Sequence, residues 1–219
     1  MESSAVILAL ALATVGLTPA TEEEAPVEAA YGLDDRSRII PARGKVKCPK
    51  VPLTRYKGEI IRYHKPVRVY EGFVPRLKRF EEVVRDVAVE VYGRAPRSMR
   101  HLGSYNCRRI RAYPEWLSEH AFGNGIDISA FTFAALSRAD RADSELPRSL
   151  QRSFKVTVEK HWGKKKGLSG SHHSVFLDTL AKRLVARQDI FRVLLGPGFP
   201  GHHNHFHFDC GPYRMVEIW

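Results

Sequence analysis

His205-Phe206-His207-Phe208-Asp209 alternates polar and apolar residues over five positions. Successive side chains of a β-strand point to opposite faces. The alternation therefore sends His205, His207 and Asp209 to one side and Phe206 and Phe208 to the other. The phenylalanines anchor such a strand in a core while both imidazoles share the opposite face. Ile126-Asp127-Ile128 repeats the pattern, with Asp127 turned away from its isoleucines. Immediately upstream runs Ser118-Glu119-His120-Ala121-Phe122-Gly123-Asn124-Gly125, whose two glycines allow a tight reversal between His120 and Asp127.

Two helices frame these strands. Leu77, Phe80, Val84, Val87 and Val91 recur at three- and four-residue spacing, one face of a helix that Gly93 would stop. Phe176, Leu177, Leu180, Leu184 and Val185 mark a second, with Ser174 as its N-cap. Both stripes read as core. Arg192-Val193-Leu194-Leu195 reads as a strand entering a turn at Gly196-Pro197-Gly198. The basic stretch Lys164-Lys165-Lys166-Gly167 through His173 reads as a solvated loop, with a lid as the alternative. This mixture predicts an α+β domain, a small antiparallel sheet carrying the histidine site and flanked by helices.

At 219 residues the chain is long enough for one sizeable core. Its formal charge of +11 is unevenly placed: no Lys or Arg precedes Arg36, whereas Glu2, Glu22, Glu23, Glu24, Glu28, Asp34 and Asp35 do. The body is therefore more basic than the whole, and favours anionic partners. Residues 5–17 form an apolar run too short to span a bilayer, and Thr18-Pro19-Ala20 offers small residues for cleavage. Residues 1–20 read as a secretory signal segment, although Glu2 stands where a basic residue is usual. The expectation is export to the periplasm or cell envelope, with no stable membrane span once the segment is removed. Residues 21–44 read as a flexible acidic leader and 45–219 as the folded domain.

Three cysteines, Cys48, Cys107 and Cys210, include no Cys-x-x-Cys. One disulfide fits this count, and all three pairings remain open. No cysteine carries a nucleophile signature.

The site chemistry follows from residue type. A catalytic zinc ion takes three protein ligands and keeps one position open. His120, Asp127 and His207 supply two imidazoles and a carboxylate. His205, two residues before His207 on the same face, would sit beside the open position, where an imidazole can move protons. His202 and Ser118 fall at the rim. A solvent-facing His-x-His on an edge strand would look the same in isolation. Its combination with Ser-x-His-x6-Asp favours a metal site. His64, His101, His161, His172 and His173 read as structural or surface residues.

Several segments together resemble a known family. Gly103-Ser104-Tyr105-Asn106-Cys107-Arg108, Ser118-Glu119-His120 through Asp127, Leu195-Gly196-Pro197, and His202 through Asp209 resemble the extensin-like C-terminal domain family of bacteria, over roughly residues 45 to 210. That family is in turn similar, through Ser-x-His-x2-Gly-x3-Asp and His-x-His, to zinc peptidases of the D-alanyl-D-alanine and murein endopeptidase type. The resemblance implies ligands at His120, Asp127 and His207, with His205 as catalytic base. It also implies a role for Arg108, matching an arginine that binds a substrate carboxylate or developing oxyanion. Gly125 stands where the family generally has alanine or another small residue, a change that looks harmless.

The function expected is an exported zinc metallopeptidase hydrolysing amide bonds in peptidoglycan stems or crosslinks. The alternative is a non-catalytic, metal-containing wall-binding module, which would have no need of His205. A nucleic-acid partner is not expected, because the chain lacks a helix-turn-helix, RNA-recognition or zinc-finger pattern.

Overall fold

A computed structural model of the chain describes residues 31–164 and 167–219. The signal-like segment 1–20 and leader residues 21–30 lie outside the described residues. Residues 31–44, expected as part of a flexible leader, pack with the rest of the described chain in one unit. Tyr31 and Leu33 are buried in the core, and the buried Arg38 guanidinium pairs with Glu119 at 2.8 Å. Isolated residues plug into the body here, so the segment shows no periodicity.

β1 (Leu53–Tyr56) and β3 (Val67–Tyr70) form a two-stranded antiparallel ribbon, and β2 (Arg62–Tyr63) lies between them in sequence. A 3-10 turn at Glu71–Phe73 leads into α1 (Val74–Tyr92), with Pro75 in its first turn. The buried face of α1 includes Leu77, Phe80, Val84 and Val87, and Gly93 caps it in the left-handed conformation at φ 66°. β4 (Ser98–Gly103) and the long β5 (Gly125–Phe133) follow. Then come three short helices and a strand: α2 (Arg138–Ala142), α3 (Arg148–Gln151), β6 (Phe154–Thr157) and α4 (Val158–His161). The chain closes with α5 (Gly167–Val185), β7 (Val193–Leu195), β8 (Phe206–Asp209) and β9 (Met215–Glu217).

The fold is mixed α+β, as the pattern predicts, but its main sheet is larger than expected and not purely antiparallel. Seven strands take part, in the order β2-β4-β5-β8-β7-β9, with β6 on β5. β2 pairs parallel to β4, and β9 parallel to β7. Two- and three-residue edge strands carry too little alternation to be legible. β5 is the hub. Its first half pairs with β8, its second half with β6, and β4 runs along its other side. Beneath the sheet Phe208 stacks on Phe191 at 5.0 Å and meets Phe80 of α1 edge-on at 5.6 Å.

α5 starts earlier than its apolar stripe. Ser174 lies inside the helix rather than at its N-cap, and Gly167–His173, expected as loop, form its first turns. Within these turns Ser171 and His172 hydrogen-bond back to the carbonyls of Gly167 and Leu168, four residues earlier. These turns are polar, so they leave no helical stripe in the sequence. Among the described residues no helix is long and apolar enough to cross a membrane.

Candidate metal centre

His120 lies in a 3-10 turn at Glu119–Phe122. Ser118 caps that turn, its Oγ accepting the His120 N–H at 3.3 Å. Gly123 closes the turn at φ 66°. A Cβ there would lie 2.8 Å from Leu53 Cδ2 and 2.9 Å from the Tyr70 nitrogen, so glycine is required on both counts. β5 begins two residues later and carries Asp127 directly opposite His207 on β8. Turn, strand pairing and alternation thus bring three side chains from distant parts of the chain to one point.

His120 Nε2 lies 3.1 Å from His207 Nδ1 and 3.3 Å from Asp127 Oδ1, and His207 Nδ1 lies 2.9 Å from Asp127 Oδ1. Ligands held tetrahedrally at 2.0–2.1 Å from zinc are separated by about 3.3 Å, so the triangle has the right size. The other ring nitrogens show which atoms are free. His120 Nδ1 is 2.6 Å from the Ser104 carbonyl, which can only accept, so that nitrogen carries the hydrogen. His207 Nε2 is 2.7 Å from Asp209 Oδ2 and likewise donates. In neutral imidazoles both facing nitrogens are then bare. In that form two nitrogen lone pairs and a carboxylate oxygen would face one another within hydrogen-bond distance. Such an arrangement calls for a cation, either a proton or a metal ion.

The electrostatics carry the same signature. Burial alone would depress the His207 pKa, but hydrogen bonds to Asp127 and Asp209 outweigh it and raise it to about 10. Burial would raise Asp127. Its hydrogen bonds with His120 and His207 instead hold the carboxyl far below the usual carboxylate range. A proton shared by His207 Nδ1 and Asp127 Oδ1 is the metal-free counterpart of an ion in the triangle. His120, Asp127 and His207 form the one group of metal-type donors this close together among the described residues. The donor set suits zinc, and both imidazoles have the partners on their second nitrogens that orient such ligands.

His205 sits one residue before β8 and close to the triangle, with Nε2 3.7 Å from Asp127 Oδ1. Its Nδ1 is 2.7 Å from Asn204 Oδ1. Burial lowers its pKa to about 4, so the ring is neutral at physiological pH. The His202 ring lies tilted beside it, with ring centroids 4.9 Å apart, and lines a cavity of about 1080 Å³ together with His207, Asp209, Ser118 and Arg108. His120 and Asp127 line a second cavity of about 210 Å³. Arg108 lines both. It follows Cys107, whose disulfide to Cys48 tethers this loop, while Cys210 is a free, buried thiol.

Several contributors were not singled out by residue type. Asp209 orients His207, and its place on the same strand face was the available signal. Glu119, beside His120, is clamped by Arg38 at 2.8 and 3.2 Å and by Asn124 at 2.6 Å, and Tyr31 donates to Asn124. The Ser104 carbonyl leaves no trace in sequence. Gly125 also matters more than expected. An added Cβ would meet His207 Cε1 at 3.2 Å and Asp209 Cβ at 3.1 Å, so glycine leaves these side chains room.

Residues 40–217 match the family described as "Extensin-like protein C-terminus". No curated protein and no solved structure matches the chain. With its site motifs inside a match that covers most of its length, the chain belongs to the extensin-like C-terminal family.

Proposed function

We propose that this protein is an exported zinc-dependent peptidase that hydrolyses amide bonds in peptidoglycan peptide stems or crosslinks. One observation carries the reading: His120 Nε2, His207 Nδ1 and an oxygen of Asp127 converge at zinc-ligand spacing. A zinc ion held there supplies Lewis-acid polarisation of a carbonyl and brings the pKa of water to about 7. His205, neutral and beside the triangle, takes the proton of the attacking water at Nε2 and returns it to the departing amine. Arg108, at the junction of the two cavities, holds a substrate carboxylate or the developing oxyanion.

Other features support the setting. Disulfides such as Cys48–Cys107 persist in oxidising compartments, which favours export. A body this basic suits an anionic wall. The test is a mass-spectrometric muropeptide profile of peptidoglycan digested by the zinc-loaded protein, with chelator-treated protein and His205→Ala as controls. New peptide products absent from both controls are expected, and their masses name the bond. An unchanged profile on several walls would overturn the peptidase reading in favour of a wall-binding module.

A further inference from the structure

Two cavities of very different size and chemistry touch the centre, the larger at His207 and the smaller at His120 and Asp127. The smaller, about 210 Å³, is walled mainly by the polar segment Leu102–Asn106 together with His120 and Asp127. The larger, about 1080 Å³, is open and mostly carbon-lined, with Ile110, Tyr113, Trp116, Phe199, Tyr213 and Met215 among its walls. His207 and Asp209 belong to its lining, so it is continuous with the triangle. Tyr113 is 57% and Tyr213 38% exposed, large aromatic faces left to solvent at the mouth of a cleft. Exposed apolar surface concentrated beside a reactive centre marks a place where a ligand sits.

The occupant follows from the chemistry of the proposed substrate, and the inference rests on the peptidase reading to that extent. Stem-peptide residues are small or charged, and would leave an aromatic cleft of this volume largely unfilled. The sugar that carries the stem is different. Its ring presents flat C–H faces to aromatic side chains, its N-acetyl group adds a methyl, and its hydroxyls suit an open, wet mouth. Tyrosine and tryptophan offer the complementary apolar faces with polar edges. Arg108 and Arg111, also in the lining, provide cations for the acidic peptide that leaves the sugar. We propose that the larger cleft is a glycan subsite, so that the protein recognises peptide stems still attached to their amino sugars.

Two measurements test this. The first compares kcat/KM of the zinc-loaded protein on crosslinked muropeptides with and without their disaccharides, the latter prepared by amidase treatment. At least about a tenfold preference for the sugar-bearing form is expected, a ratio that Tyr113→Ala brings towards one. Equal rates on both forms would overturn the glycan subsite and leave the peptidase reading intact. The second is calorimetric titration with the free N-acetylglucosamine–N-acetylmuramic acid disaccharide, against octanoyl-glycine as an apolar, anionic competitor. Saturable disaccharide binding weakened about tenfold by Tyr113→Ala supports the subsite even if no substrate is cut, an outcome that would sink the peptidase reading alone. Binding of octanoyl-glycine without the disaccharide would make the cleft an acyl or side-chain pocket, and the proposal would fall.

Discussion

The two imidazoles of the centre expose different nitrogens, and their neighbours decide which. A backbone carbonyl takes the Nδ1 hydrogen of His120, leaving Nε2, while Asp209 takes the Nε2 hydrogen of His207, leaving Nδ1. Asp209→Ala removes the second constraint without touching a donor of the triangle. Zinc affinity, measured by competition with a chromophoric chelator, should fall by about 10- to 100-fold with the circular dichroism unchanged. Unaltered affinity would mean that Asp209 does not orient the ring. Elsewhere a histidine has a purely structural part. His173 is buried against Tyr92, with Tyr92 Oη 2.8 Å from its Nδ1 and the His161 ring 4.6 Å away. Burial first, then His161 and His172, lowers its pKa from 6.5 to about 4. The unfolded chain therefore binds this proton below pH 6.5 while the folded chain refuses it until about pH 4. The stability it contributes is complete above 6.5 and lost as pH falls to 4, at most about 3–4 kcal/mol at about 1.4 kcal/mol per unit. His173→Gln keeps a polar partner for Tyr92 but does not titrate. Its Tm should decline less than that of the wild type between pH 7 and 4.5, and parallel curves would exclude His173 as a source of acid lability. At this scale the sequence was informative where side-chain alternation carries the message, as at His205, His207, Asp209 and Asp127. It was silent on Ser104, which acts through a carbonyl that every residue possesses.

Elements deliver these residues, and the decisive one is the short turn from Ser118 to Gly123. Gly123 combines a left-handed backbone with close approach to Leu53 and Tyr70, whose nitrogen donates to the Gly123 carbonyl at 2.9 Å. Gly123→Ala should cost more than the roughly 1 kcal/mol of an unfavourable φ, because the methyl also meets backbone. The expected readout is a Tm lower by several degrees together with reduced zinc occupancy, since His120 rides on the same turn. A Tm within one or two degrees of wild type, about the resolution of such a scan, would contradict this. α1 was legible because five apolar residues repeat on one face and a glycine ends it. The first turns of α5 were not, because Gly167–His173 carry no apolar stripe and their one leucine, Leu168, is exposed. β2 and β9, at two and three residues, fall below the length at which alternation can register.

Across the molecule, the site depends on a segment that composition made look dispensable. Tyr31, Leu33 and Arg38 reach into the body, and Arg38 neutralises Glu119 next to His120. Burial raises the Glu119 pKa against the opposing pull of Arg38. A chain starting at Lys45 would leave that carboxyl buried and unpaired, at a cost of about 3–5 kcal/mol. It should unfold at markedly lower denaturant than a chain starting at Tyr31, and equal midpoints would show that residues 31–44 add nothing. The large cleft was illegible for a related reason: its walls come from separate stretches around 110–116, 199–202 and 213–215 that share no local pattern. Everything functional hangs on the claim that His120, Asp127 and His207 converge to hold a metal. Anomalous diffraction at the zinc absorption edge, on crystals of the zinc-loaded protein, tests it most directly. A single strong peak about 2.0–2.2 Å from His120 Nε2, Asp127 Oδ1 and His207 Nδ1 is predicted, absent from Asp127→Asn. A peak elsewhere, or the same peak surviving Asp127→Asn, would contradict it.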